Sequence, residues 1–114
     1  FQKAYAMQDK IKLNTLLDYY GNLLTDKQKE ICEYYFREDL SLQEIAEILN
    51  ISRSGVHDQV KRSENELIRY EDLLQFVKNS QKRIKIYEEI KSLGDTKVNQ
   101  YIDICLDTEG GNYE

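Results

Sequence analysis

The chain has 114 residues, no proline, only five glycines and a formal charge of −5. That length builds one domain with a modest core and leaves no room for a second catalytic module. It contains no apolar run approaching the roughly 20 residues that span a bilayer, so a soluble, cytoplasmic protein is expected. The acidic balance argues against indiscriminate, field-driven attachment to nucleic acid.

Leu, Ile, Glu, Lys and Gln dominate the periodic segments, and no stretch alternates as a strand does. The expected fold class is therefore all-α, a helical bundle with extended C-terminal helices. Met7 is the only methionine. The six residues before it read as a leftover of cloning and are set apart from the domain, expected over residues 7–107. A first helix is predicted over about residues 8–20, burying Leu13, Leu16, Leu17 and Tyr20 and ending at Gly21. Thr25 and Gln28 form a capping box, opening a second helix to about Arg37 with Ile31, Tyr34 and Tyr35 inward.

The segment 41–62, SLQEIAEILNISRSGVHDQVKR, is the most informative of the chain. Ser41 with Glu44 is a second capping box, and Leu42, Ile45, Ala46 and Leu49 follow at spacings of three and four. The small Ala46 lets a crossing helix approach closely. Asn50 tolerates the left-handed backbone of a sharp exit, and Ile51 plugs the turn. Ser52 caps the next helix, whose Val56 and Val60 point to the core. Arg53, Ser54, His57, Asp58 and Lys61 point outward, where they reach base edges or phosphates if the helix lies in a major groove. Two caps, a small crossing residue, an Asn turn and an Arg at the helix entry together describe a helix-turn-helix. Two packed amphipathic helices that bind nothing are the plainer alternative.

Beyond the turn no strong stop signal appears before about Lys78. A near-heptad seam of Val60, Leu67 and Leu74, with Tyr70, Val77 and Ile84, either packs within the chain or pairs with a second copy in a homodimer. The repeat is short, which favours packing within the chain. Asn79 and Ser80 offer a fresh cap for a helix to Leu93 that buries Ile84, Tyr87 and Ile90 and stops at Gly94. One last helix fits residues 96–106, and residues 108–114 are expected to be a disordered tail.

The charges are not spread evenly. Four acids and no base lie from Asp103 onward, leaving the rest nearly neutral. Arg53, Lys61 and Arg62 form one basic patch, and Lys78, Lys82, Arg83, Lys85 and Lys91 a second. Glu64, Glu66, Glu71 and Asp72 form an acidic interval between them. Catalysis is unsupported. His57 is the only histidine, and the phosphate-cradling glycine loops and the serine elbow are missing, so neither an enzyme nor a cofactor or metal site is expected. Cys32 and Cys105 lack the spacing of a metal or redox pair and read as reduced structural cysteines.

The run LLTDKQKEICEYYFREDLSLQEIAEILNISRSGVHDQVKRSENEL resembles region four of bacterial sigma factors, which reads the promoter −35 element. From LNTLLDYYGNLLTDKQ through IRYEDLLQFV to KRIKIYEEI the chain resembles the YlxM, or p13, family. That resemblance implies a DNA-binding regulator with Ser52 as helix cap and Arg53, Ser54, His57, Lys61 and Arg62 as contacts. It also implies an association with the signal recognition particle. DNA is the leading partner, with structured RNA or the particle's GTPase as alternatives. Asp58 and the acidic charge depart from what phosphate binding wants, and no sigma region two is present for promoter melting.

Overall fold

A computed structural model describes residues 7–110. Six α-helices follow one another, α1 Met7–Tyr20, α2 Asp26–Cys32, α3 Leu42–Leu49, α4 Arg53–Leu74, α5 Phe76–Lys91 and α6 Thr96–Asp107. No strand occurs among the described residues, and no helix is long and apolar enough to cross a membrane. The molecule is elongated, 56 × 26 × 25 Å.

The 22-residue α4 is the spine, touching α1, α2 and α3. Its Val56, Val60 and Leu67 are fully buried against Leu16, Leu17 and Tyr20 of α1, Ile31 and Cys32 of α2, and Ile45 of α3. Burial at that depth stabilises by about 1.5–3 kcal/mol per large apolar side chain. Both predicted capping boxes form. Thr25 Oγ1 accepts the Gln28 amide at 3.2 Å and Ser41 Oγ accepts that of Glu44 at 3.1 Å, while the Gln28 and Glu44 side chains reach back to the cap amides. The second helix is shorter than expected because it widens into a π-helical turn over Glu33–Arg37, which still buries Tyr35 and Phe36.

The principal departure from the sequence reading is the end of α4. The helix stops at Leu74, and Gln75 takes a left-handed conformation with φ 56°. Glu71 causes it. Its carboxylate accepts the amides of Val77 and Lys78, each at 3.1 Å, and so caps α5 from the preceding helix. The Tyr20 hydroxyl donates to the same carboxylate at 2.5 Å and accepts the Phe76 amide at 3.1 Å. Burial first, then the hydrogen bond to Glu71, pushes the Tyr20 phenol up to about 12.

Asn79 and Ser80 therefore start nothing. Ser80 lies inside α5, buried, with its hydroxyl between Tyr19 and Glu109. The expected seam is cut as well, since Leu74 is exposed while Val60, Leu67 and Val77 bury within the chain. Ile84, Tyr87 and Ile90 are only half-buried. Gly94 does end the α5 region, with φ 82°. Asp95 then caps α6 through the Val98 amide at 2.9 Å. The expected tail begins too early, because Glu109 is packed, its side chain only 4% exposed beside Arg83. Residues 1–6 and 111–114 lie outside the described residues.

Candidate nucleic-acid interface

The turn between α3 and α4 is built as a helix-turn-helix requires. Asn50 closes α3 in the left-handed conformation, φ 55° and ψ 46°, and the amides of Asn50 and Ile51 both turn back to the Ala46 carbonyl. Leu42, Ile45 and Ala46 are buried, and Leu49 and Ile51 close the crossing as half-buried neighbours. Ser52 Oγ accepts the Gly55 amide at 3.0 Å and lies 3.2 Å from Ser54 Oγ. These caps fix the direction in which α4 leaves the turn.

Burial of Val56, Val60, Ser63 and Leu67 settles which side of α4 faces solvent. At 100° per residue, Ser54, Asp58, Lys61, Arg62 and Arg69 fall opposite that buried stripe, and all five are exposed. Arg53, exposed at the first residue of the helix, lies nearer the buried stripe, and the half-buried His57 lies between it and Lys61. The structure thus brings Ser54, Lys61 and Arg62 to one face and leaves Arg53, half a turn round from Arg62, at the helix entrance, about 12 Å from Lys61 along the axis at 1.5 Å per residue. His57 Nδ1 lies 3.3 Å from the Asp58 carboxylate on this face. Ser52 and Ser54 present hydroxyls already engaged in the cap, which suits them to positioning the helix start.

Two of the four acids of the acidic interval are withdrawn from this surface. Glu64 points inward and is buried, where its charge adds to burial in pushing the Tyr35 phenol up to about 12. Glu71 is held at the α4–α5 corner by two backbone amides and Tyr20. Glu66 is half-exposed, and Asp72 is exposed on the basic face itself, three residues beyond Arg69. Arg69, not singled out from the sequence because it stands among those acids, extends the basic face by two turns beyond Arg62. Its spacing of seven residues from Arg62 was the available signal. The second basic patch fares differently. Arg83 is bound to Glu109 and Lys91 to Asp103 at 2.6 Å, leaving Lys78, Lys82 and Lys85 exposed along α5.

Cys105 is half-buried on α6. Cys32 is buried against α4, and burial raises its thiol to about 11 despite the nearby Ser63 hydroxyl.

With this geometry in hand, comparison with known sequences is decisive for the family. The model of the UPF0122 family, described as YlxM / p13-like helix-turn-helix proteins, matches residues 7–104. The chain belongs to the UPF0122 family. It is similar to a UPF0122 protein of Malacoplasma penetrans, 44% identical over 102 residues that cover 89% of each chain. It is 54% identical over 86 residues to one of Caldanaerobacter subterraneus subsp. tengcongensis, covering 75% of this chain and 74% of the relative. A Clostridium perfringens member is 40% identical over 107 residues, 89% of this chain and 96% of the relative. The matched region takes in the whole helix-turn-helix, the α4–α5 corner and most of α6. A helix-turn-helix is also what the family description names.

Proposed function

We propose that this UPF0122 protein is a DNA-binding regulator that lays the first turns of α4 in a major groove. The observation that carries the reading is the exposed face of α4, where Lys61, Arg62 and Arg69 follow one another beyond Asp58, with Arg53 exposed at the entrance of a helix aimed by the Ser52 cap. Arg53, at the helix entrance, supplies a planar fork that fits a phosphate or the edge of guanine. Lys61 and Arg62, two turns on, suit phosphate contacts that set register. Because the whole chain is acidic, long-range attraction is weak, and affinity depends on a few close contacts plus recognition of the bases.

A random duplex accordingly binds poorly, and a duplex recovered by selection from a random pool binds well. Arg53→Ala and Lys61→Ala each weaken binding to the selected duplex by about 1–3 kcal/mol while the melting temperature is kept. Unchanged binding in both variants removes the assignment. Structured RNA and the GTPase of the signal recognition particle, implied by the resemblance alone, are the controls. Binding of either with no duplex recovered would replace DNA as the partner.

A further inference from the structure

The α5–α6 hairpin has an apolar face that no other part of the described chain covers. On α5, Ile86 and Ile90 lie four residues apart on one stripe, with Leu93 beyond them in the turn after the helix; on α6, Val98, Tyr101 and Cys105 form a stripe at spacings of three and four. The ion pair at the open end of the hairpin shows that both stripes lie on one side. Arg83 precedes Ile86 by three residues and so continues the α5 stripe, and Glu109, two residues beyond the end of α6, meets it at 2.9 Å. Asp103, on the far side of α6, meets Lys91 along the other edge.

The exposure on this side is large. Ile86 is 54% exposed, Leu93 81%, Tyr101 59% and the neighbouring Ile104 61%. Together with Val98 these side chains offer on the order of 500 Å² of apolar surface, the size of the largest patch on an ordinary monomer. Beneath it the hairpin buries little, because α6 packs chiefly on α5 and contributes only Ile102 and Leu106.

We infer that this face is the seat of a second copy of the chain, two α5–α6 hairpins closing into a four-helix bundle. A stable interface removes about 800 Å² from each partner, which the apolar stripes with half-buried Ile90 and Cys105 and the flanking edges supply. The only ionisable side chains in the two stripes other than Tyr101 and Cys105 are Arg83 and Glu109, and they neutralise each other. Along the stripes a second identical face therefore meets no net charge, and the exposed Lys82, Glu89 and Lys97 stand at their edges. Two-fold pairing also gives the hairpin the shared core that one copy lacks.

Analytical ultracentrifugation of the full chain over the micromolar range tests this. The expected mass at the upper end is twice that of the 13.5 kDa chain. A Leu93→Asp, Tyr101→Glu double variant changes only exposed positions, so it keeps its helical content and sediments as a monomer. As an independent readout, Cys105 is the accessible thiol, Cys32 being buried. Its labelling by a maleimide slows several-fold as the wild-type concentration rises through the dimer transition. A wild-type chain that stays monomeric throughout, a double variant that dimerises like the wild type, or labelling independent of concentration overturns the inference.

Discussion

The body formed by α1 to α4 and the hairpin formed by α5 and α6 are stabilised differently. In the body, Ile31, Tyr35, Ile45, Val56, Val60 and Leu67 are shut off from solvent completely, while the best-buried apolar residues of the hairpin, Val77, Ile102 and Leu106, each keep 8% of their surface. Apolar packing holds the body. The hairpin leans on polar anchors, Glu71 and Tyr20 at its base and Ser80, Arg83 and Glu109 at its open end. The division also separates roles, since the surface proposed for nucleic acid belongs to α4 and the one inferred for self-association belongs to the hairpin.

The contrast is sharpest for core substitutions. Phe36→Ala removes a fully buried ring that meets Tyr35 edge-on at 5.1 Å, and is expected to cost about 3–5 kcal/mol. Thermal or urea unfolding measures it. A loss below about 1 kcal/mol would mean that the body is not the stable unit.

Next in size is Tyr20→Phe, which keeps the ring and deletes only the hydroxyl shared by Glu71 and the Phe76 amide. About 1–3 kcal/mol is expected, with faster amide exchange at the start of α5 and little change in α3. Uniform acceleration through both regions would show that the corner and the body open together. Leu49→Ala belongs lower, at about 1–2 kcal/mol, because the side chain is half-buried and closes only one edge of the turn.

The smallest effect is expected at the open end of the hairpin. The Arg83 guanidinium, with help from the Ser80 hydroxyl, holds the Glu109 carboxyl below its ordinary range. A carboxylate depressed in the folded state stabilises above its unfolded value, and that contribution is lost as pH falls through the folded one. Protection from hydrogen exchange at the end of α6, taken relative to the intrinsic rate at each pH, therefore falls in acid in the wild type. In Glu109→Gln that protection is already lower at neutral pH and changes less with acid; an identical pH response of the protection in both would exclude the anchor.

The body was legible in the sequence because its signals are local. Two capping boxes, the Asn50 exit and the Ser52 cap each act within four residues, and apolar spacing then identifies the inward faces. The corner after α4 was not legible for the opposite reason. Gln75 is an uncommon residue in the left-handed conformation, and its support comes from Glu71, one turn earlier, and Tyr20, on another helix. Ser80 looked like a cap because its partners, Tyr19 and Glu109, are distant in sequence. The candidate surface was legible in its basic members as far as Arg62, but not in Arg69 or in the removal of Glu64 and Glu71 from its neighbourhood. That depends on which way α4 turns its acids after Ser63.

The central claim is that the basic face of α4 makes the phosphate contacts, and salt dependence tests it most directly. Affinity for the selected duplex, titrated over a range of salt, should give a log-log slope corresponding to roughly three to five phosphates, at about −0.9 for each. In the Arg53→Ala, Lys61→Ala double variant the slope should become shallower by about two contacts. A slope identical to that of the wild type would place the contacts elsewhere and contradict the account.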